Sequence, residues 1–367
     1  LTPEPHHPPA GVQELIEAIG PSAVRRAPLQ AFAPANFAGE PSSFDAGALR
    51  GARALVAPRA PLPDRWAVGH LHRTEPLAEL GVERLAALLR HPGKFLLKER
   101  ADLTLGDDEP LAASIPLELN ALESWMVGDA MLASLRAGHR PDAVTTAQWL
   151  SGDLPPRQLG AGTIRSIAEK AQSVHRGFLK VADAPPRMQV VDLDVDGVRL
   201  TGRLVTRGGL LAESHYGAVR ADHLAAAWVR ILALTVATGR RTDAVLVGGR
   251  GPSRLAAPPV ERAHDFLADL VELARHGTEQ VLPLPPRVAE FWAEQRHRGL
   301  DPTLQKERLE KLWQWDSDAV WRLWFPRGTN PWSLRRHSDD PWGVPGEQTQ
   351  LGALAVRFWD PIRRAVA

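Results

Sequence analysis

Between Lys180 and Tyr216 the apolar residues stop recurring every three or four positions and begin to alternate. Met188, Val190, Val191, Leu193 and Val195, set around Asp192 and Asp194, carry the strand period. Asp196-Gly197 then marks a tight hairpin, since a type I′ turn needs positive φ at both central positions. Val198 to Val205 reads as the returning strand. Gly208-Gly209 gives a second turn, and Leu210 to Tyr216 a third strand. Helical periods flank this segment, Ala161 to Lys180 before it and Asp222 to Thr238 after it. Ala244 to Val247 forms a short buried strand that ends at Gly248-Gly249. The order is α-β-β-β-α-β, a mixed α/β pattern.

The spacing predicts further helices. One starts near Leu77, carries Leu80, Leu85, Leu88 and Leu89, and stops before His91-Pro92-Gly93. A second covers Leu119 to Ala137, with Leu122, Trp125, Met126, Ala130, Met131, Leu132 and Leu135 expected on its buried side and Gly138 ending it. Val260 to His276 and Pro286 to Arg298 add two more. Leu1 to Pro76 is rich in Pro and Ala and reads as an extended segment that packs on an upstream or main domain. Val12 to Ile19 and Phe44 to Val56 are its helical stretches, the latter with Asp45 as N-cap. Residues 77–367 form the main domain.

Composition removes whole classes of chemistry. There is no Cys, so disulfides, thiolate metal sites, iron–sulfur clusters and cysteine nucleophiles are excluded. The 44 Lys+Arg nearly balance the 43 Asp+Glu. That excludes a uniformly basic DNA binder but not a local basic groove. No run of apolar residues is long enough to span a membrane, and the Pro- and His-rich stretch Leu1 to Ala10 does not read as a signal peptide. The chain opens on Leu1 rather than Met, as expected of a fragment or a processed product.

The α-β-β-β-α-β order is that of the PD-(D/E)xK nuclease core. Active members place an Asp on the second strand and an acidic residue two positions before a Lys on the third. Clustered carboxylates hold Mg²⁺, and the Lys orients or activates water. Here the Asp position is Val205, and the third strand reads Glu213-Ser214-His215. Valine cannot ligate a hard cation, so the expectation is a degenerate, inactive core with no metal. The rival is an active nuclease in which Glu213 joins Asp192 or Asp194. Arg199, Arg203, Arg207 and Arg220 are candidate DNA contacts, with a solvated strand face as the equal alternative.

Other features read more plainly. Asp107-Asp108-Glu109 is a solvated acidic turn before Pro110. His6-His7 and His70-x-His72 lack a third ligand. Val247 to Gly251 lacks the ending of a P-loop and reads as a strand-closing turn. Eight of the twelve Trp lie at or beyond Trp292. Packing is their favoured role, with Trp313, Trp315, Trp321 and Trp324 the ones positioned to stack on unpaired bases.

Collinear motifs then point to a family. Ala27-Pro28-Leu29-Gln30-Ala31-Phe32, with Asn36-Phe37, is similar to the His-Pro-Leu-Gln-x-Phe-x-x-x-Tyr-Phe of the RecC family, the gamma subunits of exodeoxyribonuclease V. Ser43-Phe44-Asp45 resembles its Ser-Tyr-Asp, and Gly152-Asp153-Leu154-Pro155 its Gly-x-Leu-Pro. Leu200-Thr201-Gly202-Arg203-Leu204 resembles its Leu-Thr-Gly-x-Leu. Trp228 to Leu234 resembles its Trp-Leu-x-His-Leu, with Arg230-Ile231 as a departure. Phe358-Trp359-Asp360-Pro361 matches a late position.

The resemblance implies a C-terminal region of such a subunit, with degenerate helicase domains and the Chi-reading residues upstream. It implies a non-catalytic scaffold and strand guide in processing double-strand breaks for recombination. The implied partners are RecB, RecD and DNA, as a duplex end and as separated strands. No cofactor is implied for this chain, while the partner subunits use ATP and Mg²⁺. The implied location is the bacterial cytoplasm. The turns at Asp196-Gly197 and Gly208-Gly209 are suspects for strand separation.

Overall fold

Asp45 opens the first long helix by accepting from the backbone N–H groups of Gly47 at 2.7 Å and Ala48 at 3.0 Å. This helix, α1 (Ala46–Val56), is the one the spacing predicts. It packs on a short turn at Pro34–Phe37. There the buried Asn36 donates to the carbonyls of Gln30 at 3.0 Å and Ala31 at 3.1 Å. An amide at this position closes the turn on its own backbone. These elements belong to one unit, Leu1–Pro63, and all that follow belong to a second, Asp64–Ala367.

The structure is a computed structural model that describes residues 17–20, 28–38, 43–58, 71, 75–105, 119–151, 157–326, 328–336 and 341–366. His6-His7, His70, His72, the acidic turn at Asp107 to Glu109, and most of Val12 to Ile19 lie outside the described residues.

The apolar run near Leu77 starts as strand rather than helix. β1 (Glu79–Gly81) pairs in parallel with a later strand, and α2 (Val82–Arg90) follows directly. His91 ends α2 and opens α3 (Pro92–Ala101), its Nδ1 accepting from the Lys94 N–H at 3.0 Å. Pro92 has no N–H to extend the first ladder, so α2 stops before His91-Pro92 as the spacing predicts, and α3 is a further helix.

α4 (Ala121–Arg136) begins with a capping box between Asn120 and Glu123. Its buried side is Val127, Gly128, Met131, Leu132 and Leu135. Leu122, Trp125, Met126 and Ala130 were expected there and are exposed instead. The helix is apolar on more than one face. The close approach of Tyr216 at Gly128 selects the face that is buried. α5 (Pro141–Leu150) was not expected, and α6 (Arg157–Val181) was.

The strands follow. β2 (Pro186–Val195) and β3 (Val198–Arg207) form an antiparallel hairpin closed by Val195 opposite Val198. Its turn residues have positive φ, 50° at Asp196 and 76° at Gly197, as a type I′ turn requires. β4 (Leu211–Ser214) leaves this ladder after the Gly208-Gly209 turn. It pairs in parallel with β5 (Ala244–Gly248), reached through α7 (Ala221–Thr238). β5 turns into β6 (Gly251–Leu255), a strand the sequence reading missed. The described strands therefore form two three-stranded sheets, β1-β3-β2 and β4-β5-β6. The α/β class and the element order hold, while the three consecutive strands divide between the two ladders.

α7 is the central core helix. By length and composition it alone among the described helices passes a test for crossing a membrane, but 61% of the tested window is buried inside the protein. Ala225 to Leu234 are buried save Arg230, against α2 and α8 (Val260–Gly277). α9 (Pro286–His297) packs on α12 (Gln350–Ala365), and α10 (Lys306–Asp316) and the short α11 (Trp321–Trp324) complete the unit. Trp292, Trp321 and Trp359 are fully buried, as packing residues should be.

Candidate functional site

Arg230 is a charged residue in the middle of an otherwise apolar helix face. Burying a guanidinium there is tolerable only with full ionic compensation. Two carboxylates supply it. Arg230 donates to Glu213 of β4 at 2.7 Å, and to Glu83 of α2 at 2.6 and 2.8 Å. Glu213 is itself largely enclosed, its side chain 15% exposed. Burial opposes its charge, but His215 and Arg230 outweigh that and hold the carboxyl below its usual range.

The network continues through two imidazoles. His215 Nε2 lies 3.5 Å from Glu213, an electrostatic contact without hydrogen-bond alignment. Its ring stacks on His223 with centroids 3.8 Å apart and planes 8° from parallel. His223 Nδ1 accepts from the Arg220 backbone N–H at 3.2 Å, which caps α7. Burial, then the neighbouring His215, pushes His223 down to about 4. Asp222 completes the chain, 3.8 Å from His223 and paired with Arg220 at 3.2 Å.

Chemically, the position next to Glu213 holds a guanidinium. A divalent ion there would compete with a fixed positive charge and a stacked histidine pair. Val205 points outward from β3 opposite Met188. Asp192 and Asp194 lie on the exposed face of β2, and Asp192 is held by Arg199 in two hydrogen bonds at 2.8 and 2.9 Å. The structure thus places Glu213 in a partly buried position and Asp192, Asp194 and Val205 on an exposed face.

The candidate arginines differ in freedom. Arg199, Arg203 and Arg207 share the outer face of β3 by strand alternation. Arg199 is taken by Asp192, and Arg220 by Asp222. Arg207 donates to the Ala184 carbonyl at 2.9 Å and lies over the Phe178 ring. Arg203 is exposed and has no ion pair among the described residues. The Gly248-Gly249 segment is a strand-closing turn, with the Gly249 N–H donating to the Gly217 carbonyl at 2.7 Å.

Sequence reading found Glu213 and His215 but missed Arg230, Glu83, His223 and Asp222 as their partners. The signal was Arg230 itself, a lone charge inside the Leu224 to Leu234 apolar run.

The element order and the Glu213 site lie within the stretch from 77 to 297, which matches the model of the RecC C-terminal domain. The chain belongs to the RecC C-terminal domain family. It is 30% identical over 99% of its length to the RecBCD enzyme subunit RecC of Mycobacterium tuberculosis, strains CDC 1551 and H37Rv. It is 31% identical over 89% of its length to the protein of that name from Mycolicibacterium smegmatis. The chain spans 35% and 31% of those relatives, about a third. In this RecC C-terminal domain, Arg230 of α7 with its partners Glu213 of β4 and Glu83 of α2 forms a polar anchor that lies wholly within the matched stretch.

Proposed function

We propose that this chain is a non-catalytic part of a RecC subunit of exodeoxyribonuclease V, serving as scaffold and strand guide in double-strand-break processing. The observation that carries the reading is Arg230 held between Glu213 and Glu83 within the family-matched stretch. A guanidinium replaces the charge that a catalytic Mg²⁺ would bring, and no acid stands at Val205. The α6-β2-β3-β4-α7-β5 order supports descent from a PD-(D/E)xK core whose chemistry has been lost. In this reading RecB and RecD supply the ATP- and Mg²⁺-dependent activities, and the assembly works in the bacterial cytoplasm.

The test is incubation of the purified chain with linear duplex and single-stranded DNA in Mg²⁺ or Mn²⁺. Intact DNA is expected. Cleavage that disappears in Glu213→Ala would overturn the non-catalytic reading. Guidance of a strand also predicts salt-dependent binding, with a slope of about −0.7 per neutralised phosphate on single strands. Arg203 is the β3 candidate most available for such a contact.

A second reading, a pure protein-interaction domain, draws support from the internal engagement of Arg199, Arg207 and Arg220. Absence of any salt-sensitive DNA binding would favour it.

A further inference from the structure

Trp315 is 54% exposed, whereas its neighbour Trp313 packs against Trp321 and Phe325 at 5.9 and 5.8 Å between ring centroids. Two residues apart on α10, the rings point to opposite sides of the helix. Leu309 and Leu312 are buried beside the partly buried Trp313. The other side carries Arg308, Lys311 and Trp315, at i, i+3 and i+7, in one exposed stripe. Neither Arg308 nor Lys311 has an ion-pair partner among the described residues. Lys306 and Glu310 pair at 3.7 Å, and the exposed Glu307, one turn before Lys311, flanks the stripe.

Two cations address the exposed ring. The Lys311 Nζ lies 5.4 Å from the Trp315 centroid, and the Arg287 guanidinium 6.0 Å. Both fall within the range of cation–π attraction. Arg287 also fixes the platform from below. It donates to the Trp315 carbonyl at 2.7 Å, and its own backbone N–H donates to Asp316 at 2.9 Å. The Asp316 carboxylate accepts from Val288 as well, at 3.2 Å. The last turn of α10 is thereby clamped to the first turn of α9, so the ring is presented on rigid backbone.

We infer that Trp315 is a stacking platform for one unpaired base, with Lys311 and Arg308 receiving the phosphates of the same strand. An exposed indole offers a π-face to any base, and stacking of this kind tolerates all sequences. The rise from Lys311 to Trp315 is about 6 Å along the helix, within reach of a single nucleotide. The inference deepens the strand-guide reading and rests on it.

The experiment measures binding of a short fluorescein-labelled oligo(dT) to the whole chain by anisotropy across a salt series. Trp315→Ala is expected to weaken binding roughly 5- to 150-fold, the loss of one base–aromatic stack, with the salt slope unchanged. Trp315→Phe keeps most of the affinity, because a ring remains. Lys311→Gln flattens the salt slope by about 0.7. Thermal melting of each variant checks that it folds. Wild-type affinity in Trp315→Ala, with the parent chain binding normally, overturns the platform and leaves the strand-guide reading standing. Failure of the parent chain to bind any oligonucleotide overturns both.

Discussion

The Arg230 guanidinium donates to Glu213 at 2.7 Å from within the central core helix, while its other edge holds Glu83 at 2.6 Å. Glu83 is exposed, but Glu213 is largely enclosed, so removing Arg230 leaves its charge uncompensated. Arg230→Met is expected to cost roughly 3–5 kcal/mol in urea unfolding at pH 7. Without its cation, burial drives the Glu213 carboxyl upward in the folded state. The folded variant then binds more protons than the unfolded chain, so its deficit shrinks as pH falls toward the carboxylate range. Arg230→Met combined with Glu213→Leu recovers much of the loss. A single-variant cost below about 1 kcal/mol would show the pair to be no anchor.

His223 gives the protein an acid-sensitive limb. Folded, it titrates at about 4, through burial first and the stacked His215 second. Unfolded, an imidazole titrates near 6.5, so the unfolded chain binds more protons between these values and stability falls as pH drops through that window. The loss amounts to about 3 kcal/mol at 1.36 kcal/mol per unit. Chemical denaturation from pH 7 to pH 4 measures it. His223→Gln should flatten the curve there, and an unchanged curve would assign the acid limb to other groups.

Asp318 ties the α2–α3 junction to the segment after α10. It contacts His91 at 3.1 Å and Lys94 at 2.8 Å, and accepts from the Trp321 N–H at 3.0 Å. Burial opposes its charge, but these partners hold the carboxyl well below its usual range. A depressed carboxylate stabilises fully above its unfolded value and loses that contribution as pH falls through the folded one. Asp318→Asn should therefore lower stability by roughly 1–3 kcal/mol at neutral pH. The gap between variant and parent should close in strong acid. Melting temperatures at pH 7 and pH 2 decide the matter.

Gly128 lies against the face of the Tyr216 ring, so close that an added Cβ would enter it. The ring is confined further by Lys170, whose Nζ sits 4.3 Å from its centroid. Gly128→Ala is expected to cost about 1–3 kcal/mol through overpacking. Placing the same change on a Tyr216→Ala background removes the clash, so the two effects should be clearly non-additive. Additive melting shifts would mean that the helix relaxes away from the ring instead.

Much of this molecule was legible from its residues. The switch to alternating apolar positions after Lys180 marks β2 and β3, because a pleated ribbon with one buried face permits only that period. Asp196-Gly197 sets their turn, since both residues must take positive φ. Asp45 marks the start of α1 through its side-chain oxygen. Glu213 and His215 were likewise marked by position on the third strand. These are local properties, fixed by backbone sterics and near-neighbour hydrogen bonds.

What only the tertiary structure decided is which of several locally acceptable partners each element meets. No local rule sends β4 to β5 across α7 rather than keeping it beside β3. The buried side of α4 was misread because its apolar residues cover more than one face, and the approach of Tyr216 to Gly128 makes the choice. Glu83 and Arg230 stand 147 positions apart, so no spacing rule links them. Trp313 and Trp315 look alike in sequence, yet one is packed and the other bare. Burial and ion pairing depend on what arrives from distant segments, and that is settled only when the whole core closes.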